Sequence, residues 1–211
     1  MKQLTLLRQS IFAGIMISIG GWAFLVKPAI GMFLFSVGLI GVIKYAAKLY
    51  TGTAGFVEHW SDLPDLLLIL LGNILGCALV AAGSLCSPLP LSEAAETVVL
   101  GRLTNGWFRC GVLAIGCGIL MSFSVEFARR GEKTNGGNIS DWLPLLFAIP
   151  VFIFCGFPHC IADAFYNLVY IFSTPIDSIS WGALLAYYVS IVVGNFVGCN
   201  IYRLLPKTSQ R

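Results

Sequence analysis

Apolar residues in this chain fall in long blocks, not in the alternating or 3.6-residue stripes of a half-buried soluble element. Six blocks stand out, near residues 10–27, 30–51, 65–86, 107–128, 143–171 and 180–204. Short stretches holding most of the Lys, Arg, Asp and Glu separate them. About 20 apolar residues in a helix cross the hydrocarbon core of a bilayer. The pattern therefore predicts an all-α integral membrane protein with six transmembrane helices. The blocks use most of the 211 residues, so no separate soluble domain is expected within them. The first span is followed at once by a second and lacks a processing site, which argues against a cleavable signal peptide.

Composition strengthens this picture. The chain is 57% hydrophobic and 11% charged, far from an average soluble domain. Its net charge of +3 is accounted for by where the basic residues lie. Lys2 and Arg8 precede span one; Arg129, Arg130 and Lys133 follow span four; Arg203, Lys207 and Arg211 follow span six. With six spans all three groups share one side, which predicts both termini in the cytoplasm and an inner (cytoplasmic) membrane location. The other side holds Lys27, Glu93, Glu96, Arg102 and Asp177, sparse and mixed. The basic residues form no aromatic-interleaved patch, so a nucleic-acid partner is not expected.

A repeat runs through the blocks. Span three reads Leu71-Gly72-Asn73-Ile74-Leu75-Gly76-Cys77, and span six reads Val193-Gly194-Asn195-Phe196-Val197-Gly198-Cys199. Spans one and four rhyme as Gly14–Gly20 against Gly111–Gly116. Three spans followed by three similar ones must enter the membrane in opposite senses. This predicts an inverted 3+3 repeat in a single transmembrane unit, with halves at about 9–87 and 107–205 and the solute path between them. Glycines at i, i+4 leave bare faces on which helices approach closely. Asn73 and Asn195 must find partners in an apolar setting; they either tie helix to helix or donate to a solute.

Spans two and five form the remaining pair, and both carry breaking signals. Span two ends Leu49-Tyr50-Thr51-Gly52-Thr53-Ala54-Gly55, where the glycines suggest that the helix opens into a loop. Span five contains Gly156-Phe157-Pro158-His159 with Asp163 four residues on. Pro158 removes a backbone donor and disfavours helix before it. A titratable side chain deep in a span is costly and usually lines a pathway, whereas a purely structural histidine would bond a backbone carbonyl. Broken spans beside such a group are how many membrane proteins build a solute site.

These residues resemble the formate/nitrite transporter family. Leu49-Tyr50-Thr51-Gly52 is similar to the segment that ends the family's second span. Gly72–Gly76 and Gly194–Gly198 match its Gly-Asn-x-x-Gly elements. Gly156-Phe157-Pro158-His159-Cys160-Ile161-Ala162-Asp163 is similar to its fifth-span Gly-Phe-Glu-His-Ser-x-Ala-Asn, and Arg109–Ile115 to its fourth span. The likeness covers all six spans in order. It implies an aquaporin-like arrangement of six helices and a homopentamer with one pore per protomer. It also implies a small monovalent anion or its conjugate acid as solute: formate, nitrite, hydrosulfide or a short carboxylate. By the same resemblance His159 takes the central pore position, Tyr50 and Phe152 the aromatic constrictions, Thr51 the interrupted second helix and Arg102 the vestibule's basic residue.

The sequence departs from the family pattern at Pro158, at Asp163, at Ile115 and in a shortened stretch after Gly52. These departures bear on the solute more than on the fold. Asp163 would share a helical face with His159. Lys44 and Lys48 lie in span two; Lys48 can snorkel, and Lys44 is expected to pair with Asp163 or to attract anions toward the pore.

Other chemistry finds little footing. No GxxxxGK[ST] motif occurs, which argues against ATP-driven transport. Seven cysteines form no CxxC pair, so they read as small packing residues, with Cys86 the one to test for oxidation. Glu58-His59-Trp60 reads as an interfacial loop with an aromatic anchor. No metal, no cofactor and no enzymatic centre is expected. The alternatives that remain are a non-transporting scaffold or regulatory subunit of the same family, and passage of a small neutral solute.

Overall fold

The computed structural model describes residues 2–135 and 139–201. Arg203, Lys207 and Arg211 of the charge argument lie outside the described residues, as do the side chains of Arg130 and Lys133. Among the described residues every regular element is a helix: α1 (Lys2–Val26), α2 (Pro28–Leu34), α3 (Ser36–Lys44), α4 (Thr51–Ala54), a 3₁₀ turn (Trp60–Asp62), α5 (Leu63–Ser84), α6 (Leu91–Asn105), α7 (Trp107–Asn135), α8 (Ile139–Phe154), α9 (Cys160–Ser173), a second 3₁₀ turn (Ile176–Ser178) and α10 (Trp181–Asn200). Among the described residues four helical stretches are long and apolar enough to cross a membrane: Lys2–Val26, Trp60–Ser84, Trp107–Arg129 and Trp181–Asn200. Three of these begin at an exposed tryptophan, the residue that favours the membrane–water boundary.

Two tight helix pairs form the frame, α1 with α5 and α7 with α10. Glycine makes both possible. A Cβ on Gly76 would collide with the Ile11 carbonyl oxygen, and one on Gly14 with that of Asn73. Likewise Gly198 meets the Ile115 carbonyl oxygen, and Gly118 meets that of Asn195. Gly76 and Gly198 occupy matching places, as do Gly14 and Gly118. The expected rhyme of Gly14–Gly20 with Gly111–Gly116 is therefore corrected: the structural partner of Gly14 is Gly118. Hydrophobic runs tolerate such slips, because neighbouring registers look alike until backbone contacts distinguish them.

Between these pairs lie the short helices. α3 and α8 stop by the same device. Ala46 N–H donates to the Ile43 carbonyl and Ala47 N–H to that of Val42. Gly156 N–H donates to Ile153 and Phe157 N–H to Phe152. Each is a Schellman stop with its pivot in the left-handed region, Ala46 at φ +49° and Gly156 at φ +69°. The chain then runs extended to α4 and α9. The break in the second block is thus at residues 45–50, ahead of Gly52, which sits inside α4 and not in an opened loop. Gly52 reads as a breaker in sequence, but the stop is made by Ala46.

α6 was not expected. Leu91, Ala95 and Val99 form its buried stripe at i, i+4, i+8, and the rest of the helix is mostly half-buried or exposed. It packs on α9 and carries Arg102 toward the interior.

Candidate functional site

Asn73 and Asn195 hold the two broken segments from behind. Asn73 Oδ1 accepts from Tyr50 N–H at 2.9 Å, and its Nδ2 donates to the carbonyls of Lys48 and Ser10, each at 2.8 Å. Asn195 Oδ1 accepts from Cys160 N–H at 2.8 Å, and its Nδ2 donates to Ala114 at 2.8 Å and Pro158 at 3.0 Å. Both amides are fully buried, and both use Oδ1 and the two Nδ2 hydrogens on backbone groups. They satisfy four peptide groups freed by the breaks (Lys48, Tyr50, Pro158 and Cys160) in a place where water cannot, and tie them to carbonyls of the unbroken α1 and α7. Of the two roles left open by sequence, the geometry supports tying helices and leaves no amide hydrogen for a solute. Cys77 and Cys199 complete the bracket, with Sγ 3.4 Å from the Ile161 carbonyl oxygen and 3.3 Å from that of Thr51.

Bracketing brings Thr51 and His159 together. Thr51 Oγ1 lies 3.0 Å from His159 Nε2, and both residues are buried. His159 is the N-cap of α9; its Nδ1 accepts from Ala162 N–H at 3.2 Å. A backbone N–H can only donate, so Nδ1 presents its lone pair and the neutral ring carries its proton on Nε2. That proton is donated to Thr51 Oγ1. That leaves the Thr51 hydroxyl hydrogen to donate to a second acceptor. Phe152 stacks on the imidazole with centroids 5.7 Å apart, and Phe35 meets Phe152 edge-on at 6.2 Å. Tyr50 is buried beside Thr51, its hydroxyl donating to the Val192 carbonyl at 3.3 Å.

Asp163 closes the cap and pairs elsewhere than expected. Its Oδ2 accepts from His159 N–H at 3.1 Å, and its Oδ1 accepts from Arg102 Nε at 2.9 Å. Arg102 Nη1 also donates to the Gly156 carbonyl at 2.9 Å. The expected Lys44–Asp163 contact is therefore absent. Lys44 is exposed at the last turn of α3, and its Nζ lies 4.9 Å from the centroid of the Trp142 ring. A cation suits a helix C-terminus, and α3 ends too early to place Lys44 at depth. The family resemblance implied a vestibule place for Arg102; the structure anchors it to Asp163 and Gly156 from the unexpected α6.

Two cavities lie near the Thr51–His159 contact: His159 lines one, and Thr53, on the same short helix as Thr51, lines the other. One, about 270 Å³, is lined by Arg102, Asp163, His159, Phe152, Phe24 and Tyr166 among others. The other, about 510 Å³, is lined by Thr53, Lys48, Phe56, Gln9, Lys2 and Asp62 among others. Among the described residues no group of three or more His, Cys, Asp or Glu is placed to hold a metal ion.

Comparison with known proteins follows the same lines. A family model described as formate/nitrite transporter matches residues 1–207. The chain is 25% identical over 187 residues to the uncharacterized transporter YrhG of Bacillus subtilis (strain 168), covering 82% of this chain and 68% of that protein. It is 27% identical over 190 residues to the formate channel BtFdhC of Bacillus thuringiensis, covering 84% and 70%. Among solved structures, a pentameric formate channel with formate bound superposes with a TM-score of 0.80 at 18% identity, covering 96% of this chain and 94% of that one.

Proposed function

Because the chain belongs to the formate/nitrite transporter family, we propose that it forms a membrane pathway for a small monovalent anion or its conjugate acid, passing between Thr51 and His159. The observation that carries this reading is the buried Thr51–His159 contact, with His159 on the wall of one cavity and Thr53, two residues from Thr51, on the wall of the other. The contact can offer a hydroxyl hydrogen, which suits a solute rich in acceptor oxygens, such as formate or nitrite. Phe152 and Tyr50 serve as apolar constrictions on either side; they keep bulk water out, so that only a solute able to use the Thr51–His159 donor crosses. Asn73 and Asn195 act as scaffolding, not as solute ligands.

The same reading assigns six spans: α1, α2–α4, α5, α7, α8–α9 and α10. The paired Asn brackets, Schellman stops and glycine contacts support an inverted 3+3 repeat, with spans two and five interrupted, in one transmembrane unit. A homopentamer is proposed from the pentameric formate channel that the chain resembles in fold. The exposed leucines of α5, Leu67, Leu71, Leu75 and Leu79, would then face lipid or a neighbouring protomer. An inner-membrane location with both termini cytoplasmic follows from the basic residues.

Proteoliposome flux tests the proposal. Formate, nitrite and hydrosulfide are offered at about pH 5 and pH 7, spanning the ordinary histidine range, with wild type beside His159→Phe and Thr51→Val. Flux of at least one solute, abolished by His159→Phe and reduced by Thr51→Val, is expected. Undiminished flux in His159→Phe would place the pathway elsewhere; no flux from well-folded wild type would remove the transport role.

A further inference from the structure

The vestibule beside His159 contains a buried ion pair whose two charges cancel. Arg102 and Asp163 are the charged side chains among those lining the 270 Å³ cavity. Their side chains are 17% and 2% exposed. Asp163 Oδ1 receives Arg102 Nε, and Oδ2 receives the His159 N–H, so the carboxylate is fixed on both oxygens. Arg102 is in turn pinned to the Gly156 carbonyl. The positive charge on this wall is therefore not free to swing toward a solute. His159 adds none, because its Nδ1 lone pair is engaged by Ala162 N–H.

Neighbouring elements do not restore a net charge. From α9, Tyr166 lines the cavity and Cys160 is buried. From α7, Cys110 Sγ approaches the Arg102 carbonyl. From α10, the Tyr187 hydroxyl donates to Asn167. These are neutral thiols and phenols.

We propose that Asp163 sets the charge selectivity of the pathway: by cancelling Arg102 it leaves the vestibule without net charge, so the solute reaches His159 in its uncharged form. The inference rests on the transport reading above and narrows its solute to a neutral acid or a small neutral molecule. An anion leaving water for this cavity meets no uncompensated cation to offset its desolvation. A weak acid instead takes its proton from vestibule water, crosses neutral, and returns the proton to water on the far side. No net charge moves.

The test uses full-length protein in proteoliposomes with formate as probe, at pH 5, 6 and 7, under valinomycin potentials of either sign. In wild type the initial rate is expected to fall about tenfold per pH unit, following the protonated acid, and to be equal for both polarities. Asp163→Asn keeps an acceptor for the His159 N–H but leaves Arg102 uncancelled. Its rate at pH 7 is expected to rise about tenfold and to depend on polarity, as an uncompensated charge at short range in a poorly screened cavity requires. The double variant Arg102→Gln/Asp163→Asn is neutral again and should regain the wild-type pH slope and polarity independence. Polarity-dependent wild-type flux, or an Asp163→Asn variant that transports with the wild-type slope, overturns the proposal.

A binding measurement separates this inference from the transport reading. Equilibrium dialysis of formate at pH 7 against protein in detergent should give a Kd about tenfold lower for Asp163→Asn than for wild type or the double variant. That ranking without any flux would uphold the charge assignment while transport itself fails; equal affinities overturn the assignment. If Asp163→Asn is not monodisperse, Arg102→Gln is compared with the double variant. The uncancelled carboxylate of Arg102→Gln should weaken formate binding about tenfold, and equality again overturns it.

Discussion

Replacing Asn195 by Leu removes three hydrogen bonds from one buried side chain and orphans two backbone groups at the break, Cys160 N–H and the Pro158 carbonyl, whereas the Ala114 carbonyl keeps its partner within α7. No water is at hand in an apolar span to replace them. Interhelical hydrogen bonds in membrane proteins average about 0.6 kcal/mol, which sets a floor near ~2 kcal/mol for three. Orphaned buried groups cost about 1–3 kcal/mol each in general, so the loss lies at about 2–6 kcal/mol. For a chain of this size that is a fall in Tm of roughly 4–24 °C. The structure adds a sharper condition. Asn73 makes the same three bonds in the other half, to Tyr50 N–H and the carbonyls of Lys48 and Ser10. Asn73→Leu should therefore cost the same as Asn195→Leu to within about 1 kcal/mol, given the spread of such bonds. The melt is followed in mild detergent with a thiol-reactive dye, because Cys77, Cys117, Cys160 and Cys199 are buried until the helices part. Asn195→Asp keeps the size but loses both Nδ2 donors, and should melt early as well if bonding is the cause rather than packing. Losses below about 1 kcal/mol at both sites, against the floor above, would refute the bracket as a stabilising device. A heavy loss at one site alone would refute the equivalence of the halves.

Much of this could be read from the chain because lipid leaves so few options. Long apolar blocks announced helices, and Gly72-Asn73 and Gly194-Asn195 stood out as a recurring pair, since only small and amide residues recur at fixed spacing in otherwise interchangeable Leu, Val and Ile. His159 was conspicuous for the same reason: a titratable group stands out where nearly everything else is oil. What stayed hidden depends on contacts at long separation. The pairing of Asp163 with Arg102, 61 residues away, requires α6, whose buried stripe of Leu91, Ala95 and Val99 lies in a polar stretch that looks like a loop. A scan for i, i+4, i+8 apolar positions would have found it. Lys44 was misplaced because a block reads as one span until its stop is located, and that stop is a left-handed alanine. Alanine carries no sequence signal for such a conformation, whereas Gly156 does.

Two further substitutions probe the frame with the same melt. Gly198→Ala places a Cβ on the Ile115 carbonyl oxygen and should cost about 1–3 kcal/mol as α7 and α10 are forced apart. Gly83→Ala, where a Cβ meets nothing within 4 Å inside α5, should instead stabilise by up to about 1 kcal/mol. Ala46→Gly tests the stop that sequence concealed. Ala46 is exposed and holds φ +49°, a conformation costing an L-residue about 1–2 kcal/mol. Glycine removes that cost but loses about 0.5–1 kcal/mol through its freer unfolded chain. The net gain is about 0–1.5 kcal/mol. Gly156 holds the equivalent pivot at φ +69°, and a Cβ there would meet nothing within 4 Å, so Gly156→Ala should lose the same amount for backbone reasons alone. The double exchange Ala46→Gly/Gly156→Ala should then melt close to wild type. If Ala46→Gly lowers Tm, the left-handed alanine is not a strained stop, and the equivalence of the two helix ends fails with it.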